Sequence, residues 1–312
     1  MIDVNHYQIG NVKVKISSDI VLPATKSMLY EKFLAPPGDA NARYSIFELE
    51  TKSYTLSPLD QEEKKALRRT LVFPEWWLAN PVFRAPAVRE AIQYCRIEPE
   101  LFHLSLSWNR LIIRNFAENE FHFFYYPENK KDMTDPVFNA RLRNLISLAM
   151  VNDLSFLLHG AGVMRQNGAA LFLAPDAGGK TTLIKKFKRN EILSDDQVVV
   201  RWAKNTFHLC STPFGTMSCG PAKSELAGIF IIKKSKKFKI LPAKANDTLR
   251  FIWNESFLKT VVLPKVLRTR VFDMLYQLCR QIPSYYIHTP IDSLDFKAID
   301  NALAGKSNKS GS

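Results

Sequence analysis

The stretch that most constrains the fold is residues 168–200, where an apolar run, a glycine loop, an amphipathic segment and a second apolar run follow one another. The run GAALFLA leads into PDAGGKTT, and TTLIKKFKRN then places Leu183, Ile184 and Phe187 on one helical face with lysines opposite. The second run, QVVV, has the composition of a buried strand. Strand, loop, helix and strand is the order that a phosphate-binding loop requires, so the sequence predicts an α/β fold.

The loop ends on the residues that a P-loop requires. Gly179, Lys180 and Thr181 match the end of the motif Gly, four residues, Gly-Lys-Ser/Thr, whereas Ala174 stands at the position of its first glycine. An alanine there requires backbone angles that an L-residue can adopt. The flanking strand and helix favour a phosphate-binding loop over a turn that binds nothing.

The loop residues have predicted roles in holding a magnesium nucleotide. Small residues let the backbone approach the phosphates, Lys180 neutralises the β- and γ-phosphates, and Thr181 holds Mg²⁺ through its hydroxyl. We expect Lys180 to lie on the solvent side rather than in the core. The predicted nucleotide contacts are Ala177, Gly178, Gly179, Lys180, Thr181 and, as a weaker candidate, Thr182.

Two adjacent carboxylates stand at the start of the next strand. Because adjacent strand residues point to opposite sides, Asp195 and Asp196 are expected to divide their roles, one facing the metal and the other accepting the proton of the acceptor hydroxyl. The alternative is an ordinary Ser-Asp-Asp turn. His159 precedes the hairpin that leads into the loop, so it can orient a carboxylate or help to move a proton. A lone histidine can also be purely structural.

The chain divides into two parts at a segment rich in proline and charge, residues 127–136. Residues 1–130 contain short apolar runs, several of them alternating, and are predicted to form a strand-rich domain with a role in substrate recognition. Residues 131–304 carry the loop and form the second domain, and residues 305–312 form a flexible tail.

Three local patterns carry further predictions. The apolar spacing from Asp135 predicts a helix that continues toward Leu158. Asn167-Gly168 between two apolar runs predicts a hairpin with positive φ at both central residues of its turn. The basic run KKSKKFK at 233–239 is predicted to be the exposed tip of a hairpin.

Charge and apolar content exclude several classes of protein. An excess of 43 Lys and Arg over 30 Asp and Glu gives a net charge of +13, which attracts phosphate-bearing or acidic partners. Nucleic acid is disfavoured as a partner because no helix-turn-helix, zinc finger or aromatic RNA-binding stripe accompanies this charge. The lack of a long apolar run or an apolar N-terminal segment predicts no membrane association and a cytoplasmic location. The cysteines lack metal-ligand spacing and are interpreted as buried or idle thiols: Cys95, Cys210, Cys219 and Cys279.

Four elements in one order carry a family resemblance: LLHGAGV, a hairpin with Gly168, LFLAPDAGGKTTL and LSDDQVVV. Together they resemble the catalytic domain of HPr kinase/phosphorylase and its related P-loop kinases, which share a fold with ATP-dependent phosphoenolpyruvate carboxykinase. The resemblance covers about residues 140–245. It implies an α/β P-loop catalytic domain of this type, preceded by a smaller strand-rich α+β N-terminal domain.

The resemblance also implies roles for individual residues. Lys180 and Thr181 correspond to the phosphate and magnesium contacts, and His159 to the histidine ahead of the loop. Asp195 corresponds to the base that accepts the hydroxyl proton and Asp196 to the metal-side acid, with the order within this pair left open. The implied reaction is transfer of the γ-phosphoryl group of ATP, with Mg²⁺, to a serine hydroxyl.

Related kinases include peptide-modifying enzymes such as those of lasso-peptide tailoring, so the implied acceptor is a peptide or protein. The loop around Ala174 departs from that of true HPr kinases, and HPr itself is therefore not the predicted acceptor. One alternative is a nucleotide-binding module of the same fold without transfer activity. The sequence leaves open the oligomeric state and whether the donor is ATP, another nucleotide or pyrophosphate.

Overall fold

The protein is described here from a computed structural model. The described residues are 3–9, 12–18, 32–39, 42–48, 59–70, 89, 92–93, 96–97, 101–107, 110–125, 150–175, 177–256, 263–290 and 294–305. They form a mixed α/β structure with two sheets and a few helices. The linker predicted at 127–136, the tail at 306–312 and Cys95 lie outside the described residues, as does the helix predicted from Asp135 up to residue 149.

The first sheet has six strands in the order β1-β2-β3-β6-β5-β4. Alternation buries one face of its first hairpin, including Tyr7, Ile9, Val14 and Ile16, each 1% exposed. These strands lie in the part of the chain for which the sequence predicts a strand-rich domain. They are β1 Asp3–Ile9, β2 Val12–Ser18, β3 Ala42–Glu48, β4 Phe102–Ser107, β5 Arg110–Asn115 and β6 Glu120–Tyr125, with helix α1 Gln61–Thr70.

The second sheet has nine strands and is curled around its longest strand. These strands are β7 Ser155–His159, β8 Ala161–Arg165, β9 Gly168–Leu173, β10 Ile192–Ser194, β11 Gln197–Ala203, β12 Thr206–Cys210, β13 Lys223–Lys234, β14 Lys239–Pro242 and β15 Ser284–Thr289. The start of β13 pairs with β12, in the order β7-β11-β12-β13. The rest of β13 pairs with β9 and β15, in the order β10-β8-β9-β13-β15-β14.

Four helices accompany this sheet among the described residues: α2 Lys180–Ile184, α3 Ala245–Phe251, α4 Lys265–Gln281 and α5 Phe296–Ala304. Helix α2 is shorter than the amphipathic segment predicts. Leu183 and Ile184 of α2 are nevertheless buried as expected, and so is Phe187 just beyond the end of the helix. No helix in the described part of the chain has the length and apolarity needed to cross a bilayer.

The chain crosses between the two halves of the curled sheet at two adjacent points. Strand β7 passes into β8 at Gly160, and β10 passes into β11 at Asp195-Asp196. The backbone N–H of Gly160 donates to the carbonyl of Asp196 at 2.9 Å, which joins the crossings. A Cβ on Gly160 would lie 2.8 Å from the Leu173 side chain, so glycine is needed for this close approach to the end of β9.

Both sheets contribute to one hydrophobic core. Buried residues of the first sheet, such as Tyr7 and Phe121, belong to the same cluster as Phe156 and Leu226 of the second sheet. A second cluster lies beneath α2 and α5 and includes the stacked rings of Phe172 and Phe230. The change from one sheet to the other falls between residues 125 and 155, and the proposed domain boundaries stay a prediction.

Three local predictions need correction. The helix does not continue to Leu158, because 150–153 form a short 3₁₀ helix and Leu158 lies in β7. The β8–β9 hairpin is confirmed, but its turn has Gln166 and Asn167 at the centre, and its positive φ falls on Gly168. The run 233–239 is mostly exposed as predicted, yet β13 and β14 do not form a hairpin because β15 lies between them.

Candidate functional site

The predicted site residues gather at one edge of the second sheet. Strands β9, β13 and β15 are parallel, so the loop after Leu173, the end of β13 at Lys234 and the end of β15 at Thr289 share this edge. Strand β10 runs in the same direction as β9 because both pair antiparallel with β8. Asp195 and Asp196 therefore follow β10 at the same edge, two strands or roughly 10 Å from the loop. Ligands of open α/β sheets bind at such carboxyl ends of strands.

The loop accommodates alanine at its first position. Ala174 is fully buried, and its φ is not in the left-handed region, so a Cβ causes no backbone strain there. The left-handed residues come later in the loop, at Ala177 with φ 55° and Gly179 with φ 94°. A Cβ on Gly178 would lie 2.7 Å from the Cβ of Ala174, which explains why that position needs glycine. The left-handed backbone angles of this loop therefore fall on Ala177 and Gly179 and not on Ala174.

The position of Lys180 corrects the expectation of a solvent-side charge. Its residue is only 7% exposed, and Nζ donates to the carbonyl of Ala174 at 2.6 Å and to that of Pro175 at 3.4 Å. An ammonium group on a flexible stem can fold back onto carbonyls that the loop itself supplies. Lys180 thus carries its charge inside the loop.

The short helix after the loop adds little to the charge of this site. Helix α2 has five residues, so few peptide dipoles are aligned along it, whereas Lys180 and Lys234 each bring a full positive charge to the loop. Thr181 and Thr182 lie on its exposed side, where their hydroxyls are accessible.

Lys234 contacts the loop, although it is not among the site residues predicted from the sequence. Its Nζ donates to the carbonyl of Ala177 at 3.0 Å, although it was interpreted as one of several solvated lysines in the run 233–239. The overlooked signal was its place at the end of a buried apolar run, because the carboxyl end of such a strand lies at the ligand edge of the sheet.

His159 and Asp196 form a partly exposed polar pair at the site. His159 Nε2 lies 3.3 Å from Asp196 Oδ1, with side chains 27% and 36% exposed. Gln197, which follows Asp196, pairs directly opposite His159 across β11 and β7, so the strand register brings the two elements together. His159 is therefore close enough to Asp196 to orient its carboxylate, and that role stays a prediction.

Asp195 has a different environment. It is 3% exposed, and its Oδ1 accepts hydrogen bonds from the backbone N–H groups of Thr216 at 2.9 Å and Met217 at 3.0 Å. Its Oδ2 accepts a third from Thr216 Oγ1 at 2.5 Å. A Cβ on Gly215 would collide with Asp195 Oδ1, so glycine lets this turn close over the carboxylate. Thr216 is a second residue that sequence reasoning missed.

The turn that covers Asp195 contains the sequence Thr-Pro-Phe and is fixed by buried hydroxyls. Thr212 Oγ1 donates to the carbonyl of Gln197 at 2.6 Å, and Ser194 Oγ donates to the carbonyl of Phe214 at 3.0 Å. These bonds attach the turn to Ser194 and Gln197, the two residues that flank Asp195 and Asp196. The backbone that carries the two carboxylates is therefore held in place.

Two cavities adjoin the loop. The larger, about 640 Å³, is lined by Pro175, Ala177 and Gly178 together with parts of β13, β15 and α3. The smaller, about 130 Å³, lies against α2 and the segment after β15. A third groove of about 910 Å³ between α4 and the β11–β12 hairpin contains none of the predicted site residues.

The oxygen groups at this edge suit Mg²⁺ only as a metal shared with substrate. Within the described ranges, no group of three or more His, Cys, Asp or Glu side chains could hold a metal by itself. Mg²⁺ usually takes one or two protein oxygens and completes its coordination with water and phosphate. The exposed Thr181 hydroxyl and the partly exposed carboxylate of Asp196 are the matching ligand types.

The described thiols are free and belong to no site. Burial raises the pKa of the Cys279 thiol to about 12 and also raises the pKa values of Cys210 and Cys219. These three cysteines therefore stay protonated near neutral pH.

Neither a comparison with protein-family models nor one with curated proteins finds a match for this chain, so the family resemblance stays a prediction.

Proposed function

We propose that this chain is a kinase that transfers the γ-phosphoryl group of Mg-ATP to a hydroxyl, with a serine of a peptide or protein as acceptor. The observation that carries the proposal is the contact between His159 and Asp196, at the same sheet edge as the loop that holds Lys180. A lysine-bearing loop can neutralise the phosphates, and a carboxylate held by a histidine can serve as the base for an acceptor hydroxyl.

Asp196 is the base in this proposal, and Asp195 has a positioning role. A base needs an oxygen that the acceptor hydroxyl can reach. The carboxylate of Asp195 is buried and already accepts three hydrogen bonds, whereas that of Asp196 is about one-third exposed. This choice gives Asp196 the role of base that the family resemblance implied for Asp195, and it leaves Asp195 with no direct role in the chemistry.

The reaction then follows from these positions. Asp196 takes the proton of the acceptor hydroxyl as the acceptor oxygen bonds to the γ-phosphorus. The bond from that phosphorus to the β–γ bridging oxygen breaks, and ADP leaves with the bonding electrons. His159 holds the carboxylate toward the hydroxyl, and Lys180 stabilises negative charge on the phosphates.

Two features of the loop bear on nucleotide binding. Lys180 must exchange the carbonyls of Ala174 and Pro175 for phosphate oxygens, and this exchange leaves its ammonium hydrogen-bonded in both states. Thr181 would hold Mg²⁺ when the nucleotide is bound, and the metal would supply further neutralisation of the phosphates.

The second candidate is a nucleotide-binding module that does not transfer phosphate. The burial of Lys180 favours it, because a lysine that is satisfied within its own loop has less to gain from phosphate. One difference separates the two candidates. The kinase needs Asp196 for the transfer step that follows nucleotide binding, whereas the binding module has no such step.

The test is phosphopeptide formation from γ-radiolabelled Mg-ATP and a synthetic library of serine-containing peptides, with product sites identified by mass spectrometry. We expect Asp196→Asn to lower the transfer rate by about 10²–10⁴, the usual contribution of a general base. His159→Asn should lower it less, since it acts through Asp196. Asp39→Asn, at an exposed aspartate before β3, is the matched control and should keep the parental rate.

One outcome would contradict the choice of base, and another would contradict the kinase. Equal transfer by the parent and Asp196→Asn would remove Asp196 as the base. Tight Mg-ATP binding without label in any peptide of the library would favour the binding module.

A further inference from the structure

The α4 groove is the space of about 910 Å³ bounded by α4, the β11–β12 hairpin and Leu154. Its apolar walls come from Trp202 and Phe207 of the hairpin, whose ring centroids lie 4.5 Å apart, and from Val266 and Met274 of the helix. Ligand pockets in proteins occupy about 300–1,000 Å³. The α4 groove therefore has room for several apolar side chains of a ligand.

Leu154 is presented to the groove at a double cost to the free protein. Its apolar side chain is 41% exposed, and its φ of 50° lies in the left-handed region that bulky residues rarely adopt. The backbone N–H of Trp202 donates to the carbonyl of Leu154 at 3.0 Å and holds it beside β11. Val266, on the opposite wall, is 48% exposed. Exposed apolar groups on a strained, fixed backbone point to a partner that covers them.

The charged residues at the α4 groove are basic on balance. Helix α4 contains four Lys and Arg residues and one Asp. Of these, Lys265, Arg270 and Asp273 line the groove. A second copy of this chain, with its net charge of +13, would bring another basic surface against the helix. Charge complementarity instead favours a different partner that carries Asp and Glu next to its apolar side chains.

The α4 groove lies along the same strand as the site but at a distance from it. Strand β11 begins at Gln197, opposite His159, and Trp202 follows five residues later. At about 3.3 Å per residue, Trp202 is roughly 17 Å from Gln197. A bound peptide can therefore place a hydroxyl at Asp196 only if at least about five extended residues join that hydroxyl to the segment in the groove.

We infer that the α4 groove docks the acceptor of the proposed kinase, through a segment that has apolar side chains flanked by Asp and Glu. The inference rests on the proposed function and names the acceptor class, an acidic peptide or protein whose serine lies outside the docked segment. Docking raises the effective concentration of the serine hydroxyl at Asp196.

The binding experiment uses the full chain and two fluorescein-labelled synthetic peptides. Both contain the same leucines and phenylalanine, separated by glutamates in one peptide and by lysines in the other. We expect fluorescence anisotropy to show tighter binding of the acidic peptide, and this preference should fall as salt is added. Equal affinity for the two peptides, or no binding of either, would overturn the inference.

Charge reversal in the groove should weaken binding of the acidic peptide. We expect Arg270→Glu to weaken it by about tenfold or more, because it places like charges together. Arg268→Glu is the matched control, since it makes the same change at an exposed α4 residue that does not line the groove. Equal losses in the two variants would mean that only net charge matters, and the groove would not be the docking site.

Two further variants test the apolar part of the groove. Leu154→Gly should weaken peptide binding and keep a urea midpoint close to that of the parent, because glycine adopts the left-handed angles without strain. A large loss of stability would show that Leu154 packs within the fold of its own chain, and the inference would be wrong. Val266→Glu should also weaken binding. It should not change the sedimentation coefficient, and a shift from dimer to monomer would assign the groove to a second copy.

Transfer assays separate this inference from the proposed function. Joining the acidic segment to a serine peptide through a flexible linker should lower the KM of that peptide, and Arg270→Glu should raise this KM and leave kcat unchanged. Asp196→Asn should lose transfer yet bind the acidic peptide as tightly as the parent does. If Asp196→Asn loses transfer but the acidic segment leaves KM unchanged, the kinase stands and the docking role is wrong.

Discussion

Thr216 donates two hydrogen bonds to the carboxylate of Asp195, one from its backbone N–H at 2.9 Å and one from Oγ1 at 2.5 Å. Together with the bond from Met217, they hold a buried carboxylate against a turn that follows 21 positions later in the sequence. The neighbouring Asp196 makes its contact with His159 instead. Two adjacent acids thus serve different purposes: one fixes the turn, and the other faces the site.

Substitutions of the two aspartates should affect different properties. Asp195→Asn should lower the stability of the protein, whereas Asp196→Asn should lower the transfer rate. Asp195→Asn replaces a carboxylate oxygen by an NH₂ group that cannot accept, so we expect the free energy of unfolding to fall by about 1–3 kcal/mol. Asp196→Asn should leave it nearly unchanged, because that side chain is partly exposed. Urea unfolding of both variants at one pH measures the difference. Equal losses of stability would contradict a structural role that belongs to Asp195.

Lys180→Met should weaken Mg-ATP binding by about ten- to a hundredfold, because it removes a charge-assisted hydrogen bond to phosphate. Methionine keeps most of the buried stem, so the variant is better suited than Lys180→Ala to a side chain that is 7% exposed. Isothermal titration calorimetry gives the affinity. Lys185→Met, at an exposed lysine just after α2, is the control, and a similar loss in that variant would mean that only net charge matters.

The loop should tolerate Gly at 174 better than Ala at 178. Gly178→Ala places a Cβ 2.7 Å from both the Ala174 Cβ and the Pro175 carbonyl oxygen, and overpacking of this kind costs about 1–3 kcal/mol. Ala174→Gly removes one buried methyl group and should change nucleotide affinity only slightly, at a stability cost of about 1 kcal/mol. Thermal unfolding and ATP titration measure these effects. A large gain in affinity for Ala174→Gly would favour the inactive binding module.

His208 should make stability depend on pH. Burial lowers the pKa of His208 below its ordinary 6.5, although the nearby charge of Glu225 opposes this shift. The unfolded chain therefore binds the proton first as the pH falls. The stability from neutral His208 is present above about pH 6.5 and is lost as the pH falls through the lower pKa of the folded state.

The variant His208→Gln removes this titration. We expect the urea midpoint of the parent protein to fall more between about pH 7.5 and 5.5 than that of His208→Gln. Parallel falls in both proteins would show that other groups cause the acid sensitivity.

The local sequence determined the elements around the loop. Alternation predicted the paired strands of the first sheet. The apolar run of β9 predicted a strand, the glycines after it predicted a loop, and the face formed by Leu183 and Ile184 predicted a helix. These features depend on periodicity and on backbone freedom over a few residues, which are visible in the chain itself. The short reach of such patterns also explains the misplaced hairpin turn at Gly168 and the overextended helix before Leu158.

Only the tertiary structure decided which side chains meet at the site. Lys234 reaches the carbonyl of Ala177 from 57 positions away, and Thr216 closes over Asp195, because parallel strands and a buried turn bring distant segments to one sheet edge. Burial then fixed which acid of the pair faces outward, and the carbonyls of the loop drew Lys180 inward. Solvent exposure and hydrogen-bond partners are properties of the packed chain, and so neither could be inferred from the motif alone.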